Sequence, residues 1–362
     1  MGPGHTIEDT MALAGVRDGD RGRSEGMQQR TLGRTGIEVS EIGFGCGPTA
    51  GLMVYGTPEE QAAAVKFAYD QGITYFDTAP IYGDYVSEDN LGRALQSVGL
   101  RPHIATKVAL ELSDLDDIRG AVRKSVEDSL RRLRVDSVTS VQLHNRVAPT
   151  RAKKADLGVG AQLTPEDVLG PVLETFEALR QEGKVRAIGC CAWGGEYASV
   201  CQVLDGGAWD SVLVGYNILN PTSGRAAPNG FSGRDFGNVM ATAAARGTSA
   251  VALKVLESGA LTGAVQPHPT SVLSRRPNQE FSDNAARARA LDFLVREGQT
   301  MTQAAIRFAL GDPRVGVVLV GFSALDQVAE AAAASNGQRL SEADLARIED
   351  LYASDFSLRQ PV

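Results

Sequence analysis

The feature that most constrains this chain is an eightfold alternation of short apolar runs with stretches of helical periodicity. Strand-like runs fall at Glu41–Cys46, Ile73–Asp77, His103–Lys107, Ser137–His144, Arg186–Cys190, Asp210–Gly215, Ser249–Val255 and Gly316–Gly321. Helical patterns follow at Pro58–Gln71, Ser87–Gln96, Asp114–Leu133, Pro165–Glu182, Glu196–Leu204 and Asp235–Ala245, then at the pair Ala285–Arg296 and Met301–Leu310, then at Leu325–Ala334. Such alternation implies a parallel sheet with right-handed crossovers. Eight units close into a (β/α)8 barrel, with the active site at the C-terminal ends of the strands. An open doubly wound sheet would show Gly-x-Gly-x-x-Gly between its first strand and a helix. Gly43-Phe-Gly45-Cys-Gly47-Pro has neither that spacing nor the helix. The expected fold class is therefore α/β, a TIM barrel. Polar and apolar residues alternate around Gly33 and Gly36, which adds an N-terminal β-hairpin over Arg30–Ser40.

At 362 residues the chain has the length of one such barrel. Residues 1–27 are Gly-rich and charged, and Met11–Val16 is too short for a secretory h-region. We expect a disordered leader over 1–27, with Met27 as an alternative start, and a single domain over 28–362. Long connections at Arg146–Thr164 and Ile218–Arg234, and a third at Gln266–Asp283, follow strands four, six and seven and belong on the presumed active face. A hydrophobic content of 43% with 22% charged residues is that of a soluble protein, and a net charge of −8 argues against a nucleic-acid partner. The sequence holds no apolar run of about 18 residues, so no membrane span is expected. Cys46, Cys190, Cys191 and Cys201 show no Cys-x-x-Cys spacing and no accompanying His cluster, so no metal site is expected. Adjacent Cys190 and Cys191 read as small core residues, and a reducing, cytoplasmic setting fits the four. Nothing in the sequence sets an oligomeric state.

Four titratable groups stand at or just beyond strand ends: Asp77, Tyr82 on the loop five residues later, Lys107 and His144. Each has a structural alternative: a cap, a surface aromatic, a solvated charge, a satisfied core histidine. Only their joint placement at strand tops favours chemistry.

In order and context these four residues resemble the catalytic tetrad of the aldo-keto reductase superfamily. The block Asp77-Thr-Ala-x-x-Tyr82-Gly with Ser87-Glu-x-x-Leu91-Gly carries the resemblance. Ala105-Thr-Lys107, Gln142-Leu-His144, Lys184–Gly189 and Tyr216-Asn217 support it, and it spans about residues 30–335. It implies a catalytic set of Asp77, Tyr82, Lys107 and His144. A phenol acts as general acid for carbonyl reduction if its pKa is lowered. Lys107 is expected to pull Tyr82 downward, with Asp77 orienting Lys107. Tyr82 and His144 would face the oxyanion that grows as hydride arrives.

The resemblance also implies a cofactor pocket, with departures. Tyr216 matches the aromatic on which nicotinamide stacks, followed by Asn217. The usual Ser-Asn pair for the carboxamide is replaced by Cys191 and Ala192, for which Asn217 or backbone groups would have to compensate. Lys254, Leu256, Gly259 and Leu261 fall in the pyrophosphate-side loop. Gly321, Ser323, Gln327 and Glu330 fall in the adenosine-phosphate segment, where Arg or Lys commonly pairs with a 2′-phosphate. Here Ser323, Ala324 and Gln327 stand instead, and Ala331 replaces the adenine-contacting Asn. Arg275 or Arg276 is the available substitute. NADP(H) is the expected cofactor, with NAD(H) as the alternative.

Tyr85 and Trp193 are expected to shape a pocket for a small carbonyl or hydroxyl substrate, and Asn145 and Arg146, beside His144, to offer polar contacts to a hydroxylated or anionic one. Tyr216-Asn-Ile-Leu-Asn220-Pro resembles sugar-dehydrogenase-like members, so oxidation of a sugar or lactol competes with carbonyl reduction. A regulatory subunit that binds nicotinamide without turnover is the alternative of another class.

Overall fold

The computed structural model of the chain describes residues 26–153, 159–229, 231–264, 266 and 279–357. The alternating N-terminal segment forms β1 (Gln29–Thr31) and β2 (Glu38–Ser40), paired antiparallel, with Gly33 and Gly36 at positive φ in the turn. Leu32, Ile37 and Val39 from this hairpin are buried against Tyr75, Ala105, Ala187, Leu213, Val251 and Val317, the inward-facing residues of six strands. The hairpin thus closes the N-terminal end of the barrel. At Gly33 the fit admits no side chain, because a Cβ would collide with the Asp210 carbonyl.

Eight parallel strands follow: β3 (Ile42–Gly45), β4 (Tyr75–Asp77), β5 (His103–Val108), β6 (Val138–Leu143), β7 (Val185–Cys191), β8 (Ser211–Gly215), β9 (Ser249–Leu253) and β10 (Val315–Gly321). Each pairs with its sequence neighbour, and β10 closes onto β3. The side-chain period of two divides the apolar residues between two layers. One set fills the barrel with the hairpin residues. The other, including Phe44, Phe76, Val141, Ile188, Val212 and Val318, packs against the helices.

The surrounding helices are α1 (Pro58–Asp70), α2 (Val86–Val98), α3 (Ile118–Leu133), α4 (Leu173–Gln181), α5 (Tyr197–Gly206), α6 (Val239–Ala244), α7 (Gln279–Arg289), α8 (Met301–Leu310) and α9 (Leu325–Ala332), with α10 (Glu342–Ala353) after the last unit. Capping boxes at Thr57 and Thr300 set where α1 and α8 begin. The helix expected over Pro165–Glu182 is interrupted. Gly170 leaves helical geometry beside Pro171, which has no N–H to donate, and the chain passes through a π turn before α4. The expected helix Ala285–Arg296 instead lies earlier, as α7, and gives way to a 3-10 turn at Asp292–Leu294. The helical pattern ends at Arg289, where the chain turns through Ala290 and Leu291.

Beyond the expected repeats, α10 packs through Ile348 and Tyr352 onto Ile218, Leu219, Leu291 and Leu294, and the Tyr352 hydroxyl donates to the Ile218 carbonyl at 2.6 Å. Residues 1–25 of the expected leader lie outside the described residues, while Met27 packs against the core beside Gly72. Most of Gln266–Asp283, with Arg275 and Arg276, also lies outside them. No helix among the described residues is long and apolar enough to cross a membrane.

Candidate active site

The parallel register brings the strand-top groups together. Asp77 ends β4 opposite Ala105, and Lys107 lies in β5 opposite Gln142, one residue pair below the exit of β6 into His144. Both Asp77 and Lys107 are buried, and Lys107 Nζ donates to the Asp77 carboxylate and, at 2.8 Å, to the Thr78 carbonyl. Tyr82 is held on a tight turn in which Gly83, Asp84 and Tyr85 all take positive φ. Lys107 Nζ lies 5.0 Å from the centre of its ring, and the His144 ring meets it edge-on at 6.0 Å. Gly47 passes alongside this ring, where a Cβ would make an ordinary 3.6 Å contact with it. The four residues singled out in the sequence are therefore assembled in one cluster.

The Ser87-Glu88 motif is structural in this arrangement. Ser87 N donates to the Tyr82 carbonyl at 3.1 Å, and Ser87 Oγ donates to the Cys46 carbonyl at 2.9 Å, pinning the turn that carries Tyr82. Buried Glu88 accepts from Thr106 of β5 and from Arg132 of α3 at 2.7 Å, locking α2 to both.

Burial governs the protonation of the cluster. It pushes Asp77 up from the ordinary carboxylate value, and Lys107 opposes it. Burial also works against the Lys107 charge, but Asp77 and Tyr82 outweigh it and raise Lys107 to about 12. Burial, followed by Lys107, drives His144 well below the ordinary imidazole value, so the ring is neutral near pH 7. For Tyr82 the expected downward shift is overturned. Burial raises it above the ordinary phenol value, and the Lys107 attraction is the smaller effect. Asp77 Oδ2 and His144 Nδ1 are buried with no hydrogen-bond partner among the described residues.

The residues expected at a cofactor divide into three groups. The first forms a strained bend after β9. Lys254, Glu257 and Ser258 have positive φ, as does Gly259 at 101°. Gly259 N and Leu261 N both donate to the Leu256 carbonyl, at 2.9 and 3.1 Å, and Leu261 is buried. The Lys254 ammonium lies 3.4 Å from a Glu257 carboxylate oxygen and 5.5 Å from the Trp193 ring centre. The Gly259 and Leu261 amides are spent on the bend itself, so a phosphate-bearing dinucleotide would meet the Lys254 ammonium here rather than free N–H groups.

The second group lies in the segment after β10. Ser323 N donates to Gln327 Oε1 at 2.8 Å, Ser323 Oγ donates to the Ala50 carbonyl at 2.6 Å, and the Glu330 carbonyl accepts from Gln303. Gly321 stands where a Cβ would meet that of Ala50 at 3.0 Å. Ser323 and Gln327 thus shape the loop through internal bonds. The third group lies at the tops of β7 and β8. The Cys191 thiol is buried, raised to about 11 by that burial, and points to the Trp193 carbonyl at 3.7 Å. Tyr216 stacks on Phe308 with ring centres 5.5 Å apart, so one of its faces is already covered. Asn217 departs from expectation. Its amide donates to the Lys254 carbonyl and to Glu257, and its oxygen accepts from Leu219 N and Asn220 N, so it staples two loops together.

Two of the expected substrate contacts are likewise reassigned. Asn145 is fully buried, and its amide bonds Leu110 N, the Leu110 carbonyl and the Ala161 carbonyl at 2.8–2.9 Å, which ties the loop after β6 to the end of β5. Tyr85 is 51% exposed and lies under the Arg132 guanidinium at 4.8 Å, a contact with the helical layer. Trp193 alone covers the barrel mouth, packed so closely over Gly215 that a Cβ there would collide with its ring. Arg234 and Phe236, from the loop after β8, were not singled out in the sequence. Phe236 lies 5.4 Å from Trp193, and Arg234 donates to the Gly195 carbonyl at 2.9 Å. No spacing rule exposes such residues, because only the loop's path brings them to the site.

Comparison with known proteins agrees with this architecture. The chain is 27% identical over 316 residues to L-galactose dehydrogenase of Arabidopsis thaliana, covering 85% of this chain and 88% of that one. It is 35% identical over 173 residues to the aldo-keto reductase YhdN of Bacillus subtilis, covering 45% and 46%. The solved structure of the glycerol dehydrogenase AKR11B4 from Gluconobacter oxydans superposes with a TM-score of 0.68 at 20% identity, over 92% of this chain and 97% of that one, a likeness of fold. The model of the aldo/keto reductase family matches residues 41–353. With that match over nearly the whole barrel, the chain belongs to the aldo/keto reductase family, oxidoreductases that act on CH–OH and C=O groups.

Proposed function

We propose that the protein moves a hydride reversibly between a nicotinamide cofactor and a carbonyl or alcohol substrate, with Tyr82 as the proton donor and acceptor. The observation that carries this reading is the buried Lys107–Asp77 pair set beneath Tyr82, with the His144 ring against its edge. When bound, the nicotinamide supplies or takes the hydride. In reduction, the Tyr82 hydroxyl gives its proton to the substrate oxygen as negative charge grows there, and Lys107 stabilises the phenolate left behind. Asp77 keeps Lys107 charged and fixed in place. Neutral His144 offers one N–H to the same oxygen without adding a competing charge.

Burial holds the proton on Tyr82 at neutral pH, and the Lys107 charge is what favours its release to the substrate oxygen. The bend after β9, with Lys254, would hold the pyrophosphate, and the Tyr216 face away from Phe308 would take the nicotinamide. Between Gly321 and Ala332 there is no Lys or Arg, so this segment offers no cation for a 2′-phosphate. NADP(H) and NAD(H) are both kept as cofactors in this reading.

Similarity to L-galactose dehydrogenase favours a sugar or lactol as the alcohol partner. The four unpaired thiols suit a reducing, cytoplasmic setting. A panel of aldoses, lactols, aldehydes and ketones with both nicotinamide couples tests the class. Tyr82→Phe should lower the hydride-transfer rate by roughly 10²–10⁴ in single turnover. An unchanged rate would remove Tyr82 from the chemistry. Quenching of nicotinamide fluorescence with no turnover of any substrate would favour a binding subunit.

A further inference from the structure

Two arginines converge on the Gly194-Gly195 turn that follows β7. Arg146 follows His144 by two residues, and a methyl group on Gly194 would come within 2.5 Å of its Nε and 2.9 Å of its Cζ. Arg234 arrives from the loop after β8, and its Nη2 donates to the Gly195 carbonyl. The two charges act on each other. Burial first, and then Arg146, lowers the proton affinity of Arg234. Arg146 also acts on the Cys191 thiol, which feels Lys107 and Asp77 as well, so it belongs to the side of the barrel mouth that faces the quartet.

Like charges side by side in a partly buried place are unfavourable unless an anion joins them. Among the described residues, neither Arg146 nor Arg234 has a carboxylate within ion-pair distance. Arg30, Arg132, Arg180 and Arg314 each do. Glu196 and Asp235 line the same cavity of about 240 Å³ as Arg234. Their carboxylates instead accept from the backbone amides of Ala198, Ser199 and Gly237 at 2.8–3.2 Å. Phe236 lies under Arg234, 5.5 Å from its guanidinium, and continues into Trp193 as an apolar wall. The chain as a whole carries a net charge of −8, so attraction of an anion to this spot must be local. Two planar guanidinium forks with no carboxylate partner suit a group of anionic oxygens.

We propose that Arg146 and Arg234 form an anion subsite, which selects substrates bearing a carboxylate or phosphate besides the reacting carbonyl or hydroxyl. This rests on the reading of Tyr82 and its partners as the proton-transfer centre. The bend proposed for the cofactor's phosphates follows β9, whereas this pair is carried by the loops after β6 and β8.

The test compares kcat/KM for glyceraldehyde with glyceraldehyde 3-phosphate, and for butanal with succinic semialdehyde, using both nicotinamide couples. The unmodified enzyme should favour an anionic member by roughly 10–100-fold, and the pair that shows it tells phosphate from carboxylate. Arg146→Gln and Arg234→Gln should each cut that ratio at least about tenfold, and Arg146→Lys should keep part of it. Equal losses on neutral and anionic members would overturn the subsite, as would no preference in the unmodified enzyme. A change confined to NADP against NAD would assign the pair to the cofactor instead. In parallel, inorganic phosphate and succinate are titrated against the tryptophan fluorescence, to which Trp193, adjoining Gly194, contributes beside the fully buried Trp209. Saturable quenching that weakens in both variants, in a protein that turns over none of the four substrates, would keep the subsite and sink the proton-transfer reading. No quenching together with no anionic preference sinks the subsite alone.

Discussion

At Tyr82 two influences oppose each other: burial holds the proton on, and the Lys107 ammonium favours its loss. Removing Lys107 leaves burial unopposed. Lys107→Met should therefore move the alkaline limb of the pH–rate profile to higher pH and lower kcat by about 10²-fold or more. The profile of the variant measured against the unmodified enzyme checks both. His144 gives a stability signature of its own. Its folded value lies well below the ordinary 6.5, so the unfolded chain takes up the proton more readily. Stability is then fully present above about pH 6.5 and falls as the pH drops towards the folded value. Urea titrations between about pH 5 and 7.5 should show this slope, and His144→Gln should flatten it. Asp77, Tyr82, Lys107 and His144 were legible because strand ends are legible and the barrel puts all strand ends on one rim. The direction of the Tyr82 shift was not, since it depends on how much protein surrounds the hydroxyl.

Among the elements, α10 shows what periodicity misses. It follows the eighth repeat and has no strand partner, so counting units gave no reason to expect it in the fold. The structure anchors it at both ends. Ser341 and Asp344 form a capping box, Arg296 pairs with both Asp344 oxygens at 2.8–3.0 Å, and Tyr352 reaches the Ile218 carbonyl. The Arg296 and Ser341 bonds hold the Asp344 carboxyl down at about 2. Its contribution is present above the ordinary 3.8 and is lost as the pH falls through about 2. Asp344→Asn should cost about 1–2 kcal/mol at pH 7, after allowance for the exposed Arg296, and much less near pH 2.5; urea midpoints at the two pH values measure it. The asparagines at loop roots carry a similar lesson. Asn145 and Asn217 looked like ligand contacts because they adjoin site residues, yet both are committed to backbone groups that the loops would otherwise bury unpaired.

For the whole molecule, the barrel must be closed at its N-terminal end, and the hairpin does this with Leu32, Ile37 and Val39. Leu32 is fully buried against the inward-facing residues, so Leu32→Ala should cost about 2–5 kcal/mol in urea unfolding. It acts at the end opposite the quartet, so its loss should appear in stability before it appears in KM. The sequence by itself determined the repeat of strands and helices, the parallel barrel and the four groups at its rim. These follow from side-chain period and from the position of a residue along its own strand, both of which are local. The tertiary structure alone decided which loop residues meet. Arg146 and Arg234 are 88 positions apart and come from loops after different strands, and they share one glycine turn only because the closed barrel brings those strand ends together. It also decided protonation, because desolvation depends on everything packed around a group and not on its neighbours in the chain.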